Sequence, residues 1–168
     1  MDVSILGNLL SKQFDVFKGK YGYAIQMKLE PGRFLVAEAG FLLCTVTQLN
    51  HTTAFNFVGV DTGFNHMVRT TMYKSYHHII NCSSCGQPKK YIVVGNLCET
   101  GDRFTTEERE IAEVKEGDIL AICCAGAYGY SMSSVYNSRN LPAEVMIDEK
   151  GSEVIRKRMC KDDLLWGY

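Results

Sequence analysis

The sequence predicts a mainly-β domain with a few short helices, on three observations. Short runs rich in Val, Ile and aromatics recur from residue 34 onward, bounded by Gly, Asn or Asp. Clear helical spacing of apolar residues is confined to the N-terminal stretch. The 168 residues are 46% hydrophobic and 22% charged, ordinary globular values for one domain, or one domain plus a stub, long enough to bury a real core.

Ile5, Leu9, Leu10, Phe14 and Phe17 lie on one face of a helix over residues 3–17, and Gly19 and Gly22 break it. Ala24 to Leu29 then reads as a short strand ending at Glu30-Pro31-Gly32-Arg33. A helix and a strand in that order look like the last unit of an α/β domain. Further strands are predicted over Leu42–Leu49, Phe55–Asp61, Tyr91–Val94, Ile119–Cys124, Ala143–Ile147 and Glu153–Arg158. Asn65 to Tyr76 is predicted as a short helix with Asn65 as N-cap, Thr105–Glu108 as a helix start, and Ser131–Asn137 as a short helix. Cys82 to Lys90 is the expected exposed loop.

A net charge of −1 gives no electrostatic reason to expect nucleic acid or a membrane surface as partner. Seven cysteines without regular spacing read as reduced thiols in a cytoplasmic setting rather than as a disulfide framework. The start, MDVSILGNLLSKQF, has no basic leader, and Phe34 to Val46 is too short to span a bilayer. His77, His78, Cys82 and Cys85 lack the usual spacing of zinc ligands, so no metal is expected.

Several motifs carry possible chemistry. Glu30-Pro31-Gly32-Arg33 pairs a turn that lets backbone approach an anion with an arginine fork; a plain Pro-Gly turn fits it as well. Arg69 and Tyr73 are four apart and share a helix face, a cation beside a phenol that suits an anionic ligand. Cys98-Glu99 follows a strand, which delivers a thiol and a carboxylate into a cleft for proton transfer. Gly126 to Tyr130, then Tyr136-Asn137, is a glycine-interrupted aromatic turn that lets a flat ring approach, or a tight turn with core aromatics.

Taken in order, EPGRFLVAEAG, VDTGFNHMVRTTMY, VVGNLCETGD and EGDILAICCAGAYGYSMSSVYNSRNLPAEV, from Glu30 to Val145, resemble the diaminopimelate decarboxylase family of alanine-racemase-like pyridoxal-phosphate enzymes. The likeness runs from about Tyr23 to Leu165 and implies the C-terminal β-domain (34–168), a barrel or sandwich, preceded by the last helix–strand unit of a (β/α)₈ barrel (1–33). The resemblance implies that Glu30, Pro31, Gly32 and Arg33 meet the cofactor phosphate, and that Arg33, Arg69 and Tyr73 bind substrate. It further implies that Cys98 donates a proton, that Glu99 reads the distal ammonium group, and that Tyr136 touches cofactor and substrate. The implied reaction takes meso-2,6-diaminopimelate to L-lysine and CO₂ with pyridoxal phosphate as electron acceptor, usually in a homodimer. None of the eleven lysines stands in the context expected of the cofactor-holding lysine. The expectation is therefore a truncated decarboxylase, inactive alone, that completes its site with a barrel-containing chain. The alternative is a non-catalytic partner docking on a full-length decarboxylase.

Overall fold

The computed structural model describes residues 2–165, which fall into two units divided between Pro31 and Gly32. The first is helix α1 (Val3–Tyr21) and a tail without regular secondary structure. Asp2 caps α1 by accepting from the Ser4 amide at 2.9 Å, and Gly22 ends it in the left-handed conformation, φ 78°. Phe17 packs against Tyr21 and Tyr23, with ring centroids 4.6 and 5.4 Å away. The predicted strand at Ala24–Leu29 does not form: the segment has no ladder, and β-propensity without a neighbour to pair with makes no sheet.

The second unit opens with a short helix, α2 (Gly32–Val36), and a 3₁₀ turn at Ala37–Ala39. Six strands follow: β1 (Leu42–His51), β2 (Asn56–Val60), β3 (Ile79–Asn81), β4 (Pro88–Val94), β5 (Arg109–Ala112) and β6 (Ile119–Ile122). They form one sheet in the order β3-β6-β1-β2-β4-β5, antiparallel except for β2 beside β4. Its inward side chains alternate along the strands: Cys44 and Val46, Val58 and Val60, Tyr91 and Val93, Leu120 and Ile122. The edge strands β3 and β5 meet, so the sheet curls into a nearly closed barrel around that core. Asn81 stitches the seam: its Nδ2 donates to Glu113 O at 3.1 Å and to Asp118 Oδ2 at 2.9 Å, and lies 3.5 Å from Ala112 O. A separate hairpin, β7 (Glu144–Asp148) and β8 (Gly151–Arg156), is clipped by the Arg156–Glu144 ion pair at 2.6 Å.

The mainly-β expectation therefore holds, while several local assignments change. The helix expected over Asn65–Tyr76 shrinks to one turn, α3 (Arg69–Met72), which ends as Lys74 enters positive φ at 50°. Asn65 is no N-cap; its amide donates instead to Ser134 O at 3.0 Å. Thr105–Glu108 starts no helix. Buried Thr105 accepts from the Val93 amide at 3.0 Å, and the chain passes through bends at Thr106 and Glu107 into β5. Ser131–Asn137 resolves into 3₁₀ turns at Tyr130–Met132 and Tyr136–Ser138, broken by left-handed Asn137.

Candidate active site

Close backbone packing sets one wall of the site. A Cβ at Gly126 would overlap the Val36 carbonyl oxygen, and one at Gly40 would overlap the backbone of Gly126. Across this contact Ala125 N donates to Gly40 O at 2.7 Å and Gly126 N to Ala37 O at 3.1 Å. Helix α2, carrying Arg33, is thereby docked on the turn that carries Tyr128. Two residues of that turn hold left-handed backbone without being glycine: Cys124 (φ 60°) and Tyr128 (φ 62°).

Tyr128 reaches Arg69 on α3. The guanidinium lies 5.2 Å from the Tyr128 ring and 5.5 Å from that of Tyr73, and its Nη2 donates to Ser75 Oγ at 3.1 Å. Arg33, Arg69, Tyr73, Tyr128 and Met132 line an open depression of about 410 Å³. Two cations, with phenol rings beside Arg69, suit a carboxylate or phosphate, which a guanidinium grips with its planar fork.

The second wall is the loop after β4. Exposed Cys98 lines a separate depression of about 510 Å³ with Asn137, Ser138 and Arg139. Arg139 Nη2 donates to Asn96 O at 3.1 Å, closing this side onto the loop. Glu99 Oε1 accepts from Gly101 N and Thr100 Oγ1, each at 3.2 Å. The loop is tied to α3 by Thr71, whose hydroxyl donates to Gly101 O at 3.0 Å. The helix bearing Arg69 and Tyr73 thus shares a direct bond with the loop bearing Cys98 and Glu99.

Partly buried His66 pins the third segment. Its Nε2 lies 3.0 Å from Asn140 O, which can only accept, so Nε2 carries the proton and Nδ1 accepts from Thr62 Oγ1 at 2.8 Å. Burial holds its pKa below the usual histidine value. A base whose folded pKa is depressed is neutral in both states at high pH; below about pH 6.5 the unfolded chain takes up the proton first. His66 therefore makes the fold less stable as pH falls from about 6.5 through its lower folded value. Glutamine can make both bonds without titrating. His66→Gln is expected to remove part of the loss in urea midpoint between pH 7.5 and 5.5, and an unchanged pH slope would contradict this.

The predicted residues are distributed as follows. Arg33, Arg69 and Tyr73 meet in one depression; Cys98 borders the other, with Glu99 beside it on the loop. Glu30 and Pro31 belong to the first unit, Gly32 and Arg33 to the second. Tyr136 lines neither depression and packs on Phe64, ring centroids 5.5 Å apart. Tyr128 stands beside Arg69, and the glycine-flanked position of this tyrosine was its one sequence signal. Among the described residues no group of three or more His, Cys, Asp or Glu side chains could hold a metal.

Residues 9–126 match the family model described as pyridoxal-dependent decarboxylase, C-terminal sheet domain. The chain belongs to this family. It is 46% identical over 163 residues to diaminopimelate decarboxylase of Methanothermobacter thermautotrophicus, covering 94% of this chain and 38% of that protein. A crystal structure of diaminopimelate decarboxylase superposes with a TM-score of 0.84 at 37% identity, covering 98% of this chain and 42% of the other. The Methanocaldococcus jannaschii enzyme in complex with L-lysine gives a TM-score of 0.80 at 43% identity, over 88% of this chain and 34% of that one. The chain thus spans about two fifths of the length of the relatives it matches.

The family is pyridoxal-dependent, and this sheet domain fits the cofactor in part. Arg33, Arg69, Tyr73 and Tyr128 suit an anionic, aromatic ligand, whereas no lysine lines either depression and all eleven lysines are exposed. Covalent anchorage is therefore not supplied by the described residues lining the two depressions. Among the described residues no helix is long and apolar enough to cross a membrane.

Proposed function

We propose that this chain is the sheet half of a diaminopimelate decarboxylase site. The observation that carries the reading is the gathering of Arg33, Arg69, Tyr73 and Tyr128 around one depression, bonded through Thr71 to the loop that presents Cys98 and Glu99. In this reading Arg69, with Arg33, grips a substrate carboxylate or the cofactor phosphate. Glu99 holds the distal ammonium group, which fits the L-lysine bound by the Methanocaldococcus jannaschii relative. The Cys98 thiol gives its proton to the carbon that has lost CO₂. Bound pyridoxal phosphate supplies the ring that accepts the electrons of the breaking bond.

By the resemblance, Glu30, Pro31, Gly32 and Arg33 meet the cofactor phosphate and Tyr136 touches cofactor and substrate, and Tyr128 adds a further ring beside Arg69. The 168 residues by themselves do not decarboxylate, because the cofactor-holding lysine comes from a barrel-bearing polypeptide; the working assembly is a homodimer or an association with that barrel-containing chain. Exposed Phe34, Leu35, Phe41 and Leu43, at 58–70% accessibility, support a covered surface of this kind.

Borohydride reduction of the chain with pyridoxal phosphate, followed by intact mass, tests the missing anchor. No site-specific pyridoxyl adduct is expected, and one defined adduct on a single lysine would contradict it. Binding tests the anion site: Arg69→Lys is expected to weaken L-lysine binding about tenfold, the loss of a fork and its ring contacts. Unchanged affinity by NMR titration would remove Arg69 from the site.

A further inference from the structure

We propose that Asp102 is the positioning residue for Cys98 and Glu99, a buried carboxylate that fixes where the thiol stands. The inference rests on the reading of Cys98 and Glu99 as working groups. Asp102 is 5% exposed, and its partners are main-chain amides rather than a cation. Oδ2 accepts from the amide of Leu97 at 2.8 Å, and Oδ1 from the amide of Phe64 at 2.7 Å. One side chain thereby joins the residue before Cys98 to the segment that leads, through Asn65 and His66, into α3.

The surroundings are shaped to this carboxylate. A Cβ at Gly95 would overlap it, and one at Gly63 would sit 3.0 Å from Oδ2 and 2.6 Å from Leu97 Cγ. The mouth of the loop is closed by Gly95 N donating to Asp102 O at 3.0 Å, and its tip by Asp102 N donating to Glu99 O at 3.1 Å. Leu97 is buried and Cys98 exposed, so the loop has an anchored foot and a presented tip. Two short bonds from backbone donors to one carboxylate leave no role for an amide at this position. Asparagine would turn an N–H toward one of the two N–H donors.

Alkylation by iodoacetamide, read cysteine by cysteine from peptide masses on the full chain, tests this with built-in controls. Exposed Cys82, Cys85 and Cys160 report reagent access, and buried Cys44 reports global loosening. Asp102→Asn and Gly95→Ala, which displaces the carboxylate while keeping it, are each expected to change the Cys98 rate at least about threefold. The three exposed controls should stay unchanged and Cys44 protected. An unchanged Cys98 rate, or Cys44 opening in step with Cys98, would overturn the proposal by leaving Asp102 either idle or a general prop of the fold. Should neither variant fold, hydrogen exchange of the wild-type chain decides: the Leu97 and Phe64 amides must be protected although they lie outside any strand, and fast exchange at both would overturn it. With a barrel-bearing partner added, Asp102→Asn is expected to lower kcat through Cys98 and to raise KM for diaminopimelate through Glu99, and an unchanged kcat would overturn it. A wild-type mixture that forms no lysine would instead sink the decarboxylase reading and leave the thiol result standing.

Discussion

Alanine at position 126 is expected to push helix α2 off the sheet. Its methyl would overlap the Val36 carbonyl oxygen and stand 3.0 Å from the Gly40 amide nitrogen, both backbone atoms that no rotamer change can move aside. Overpacking of this kind costs about 1–3 kcal/mol, and more where backbone must shift. The two hydrogen bonds across the contact, from Ala125 N and Gly126 N, would be strained with it. Arg33 would leave the depression it shares with Arg69 and Tyr128, so ligand binding should fall together with stability. Gly19→Ala is the control: nothing lies within 4 Å of a Cβ there, and alanine favours the helix by about 1 kcal/mol. Urea unfolding of both variants checks the contrast, and Gly126→Ala matching wild type would contradict the packing described.

The second large effect is expected at the barrel seam. Asn81→Leu removes the only side chain described as bonding from β3 to the β5 end, leaving Glu113 O and Asp118 Oδ2 without their shared donor. It also frees the Ser83 amide, which donates to Asn81 Oδ1 at 2.9 Å. Each hydrogen bond lost contributes about 0.5–1.5 kcal/mol, so a loss of about 3 kcal/mol is expected. That corresponds to a fall in Tm on the order of 10 °C. Because neither Asn81 nor its partners line the Arg69 depression, ligand affinity at low temperature should persist. A variant as stable as wild type would mean that the barrel is closed by other contacts.

Much of this architecture was legible in the residues. The strands β1, β2 and β6 show apolar inward positions and punctuating turns, and they fold nearly where the pattern places them. The short strands β3 and β5 were not legible, because three and four residues are too few for alternation to register and both are set by tertiary pairing. Thr105 misled for a different reason: a threonine followed by two glutamates has the look of a helix start, but its hydroxyl is spent on β4. Within the site, Arg69 and Tyr73 could be paired from their spacing, and Cys98-Glu99 from its place after a strand. Tyr128 and Asp102 could not be ranked, since their roles depend on which turn packs on which. A left-handed tyrosine over an arginine and a carboxylate between two glycines are facts of three dimensions.

Lysine formation from meso-diaminopimelate in a reconstituted mixture tests the central claim most directly. The chain would be combined with pyridoxal phosphate and the barrel half of a related decarboxylase, each half assayed alone beside the mixture, with Cys98→Ala as the matched variant. The account predicts no lysine from either half, lysine from the mixture, and a rate lowered at least about a hundredfold by Cys98→Ala. Lysine from this chain alone, or a mixture indifferent to Cys98, would contradict it.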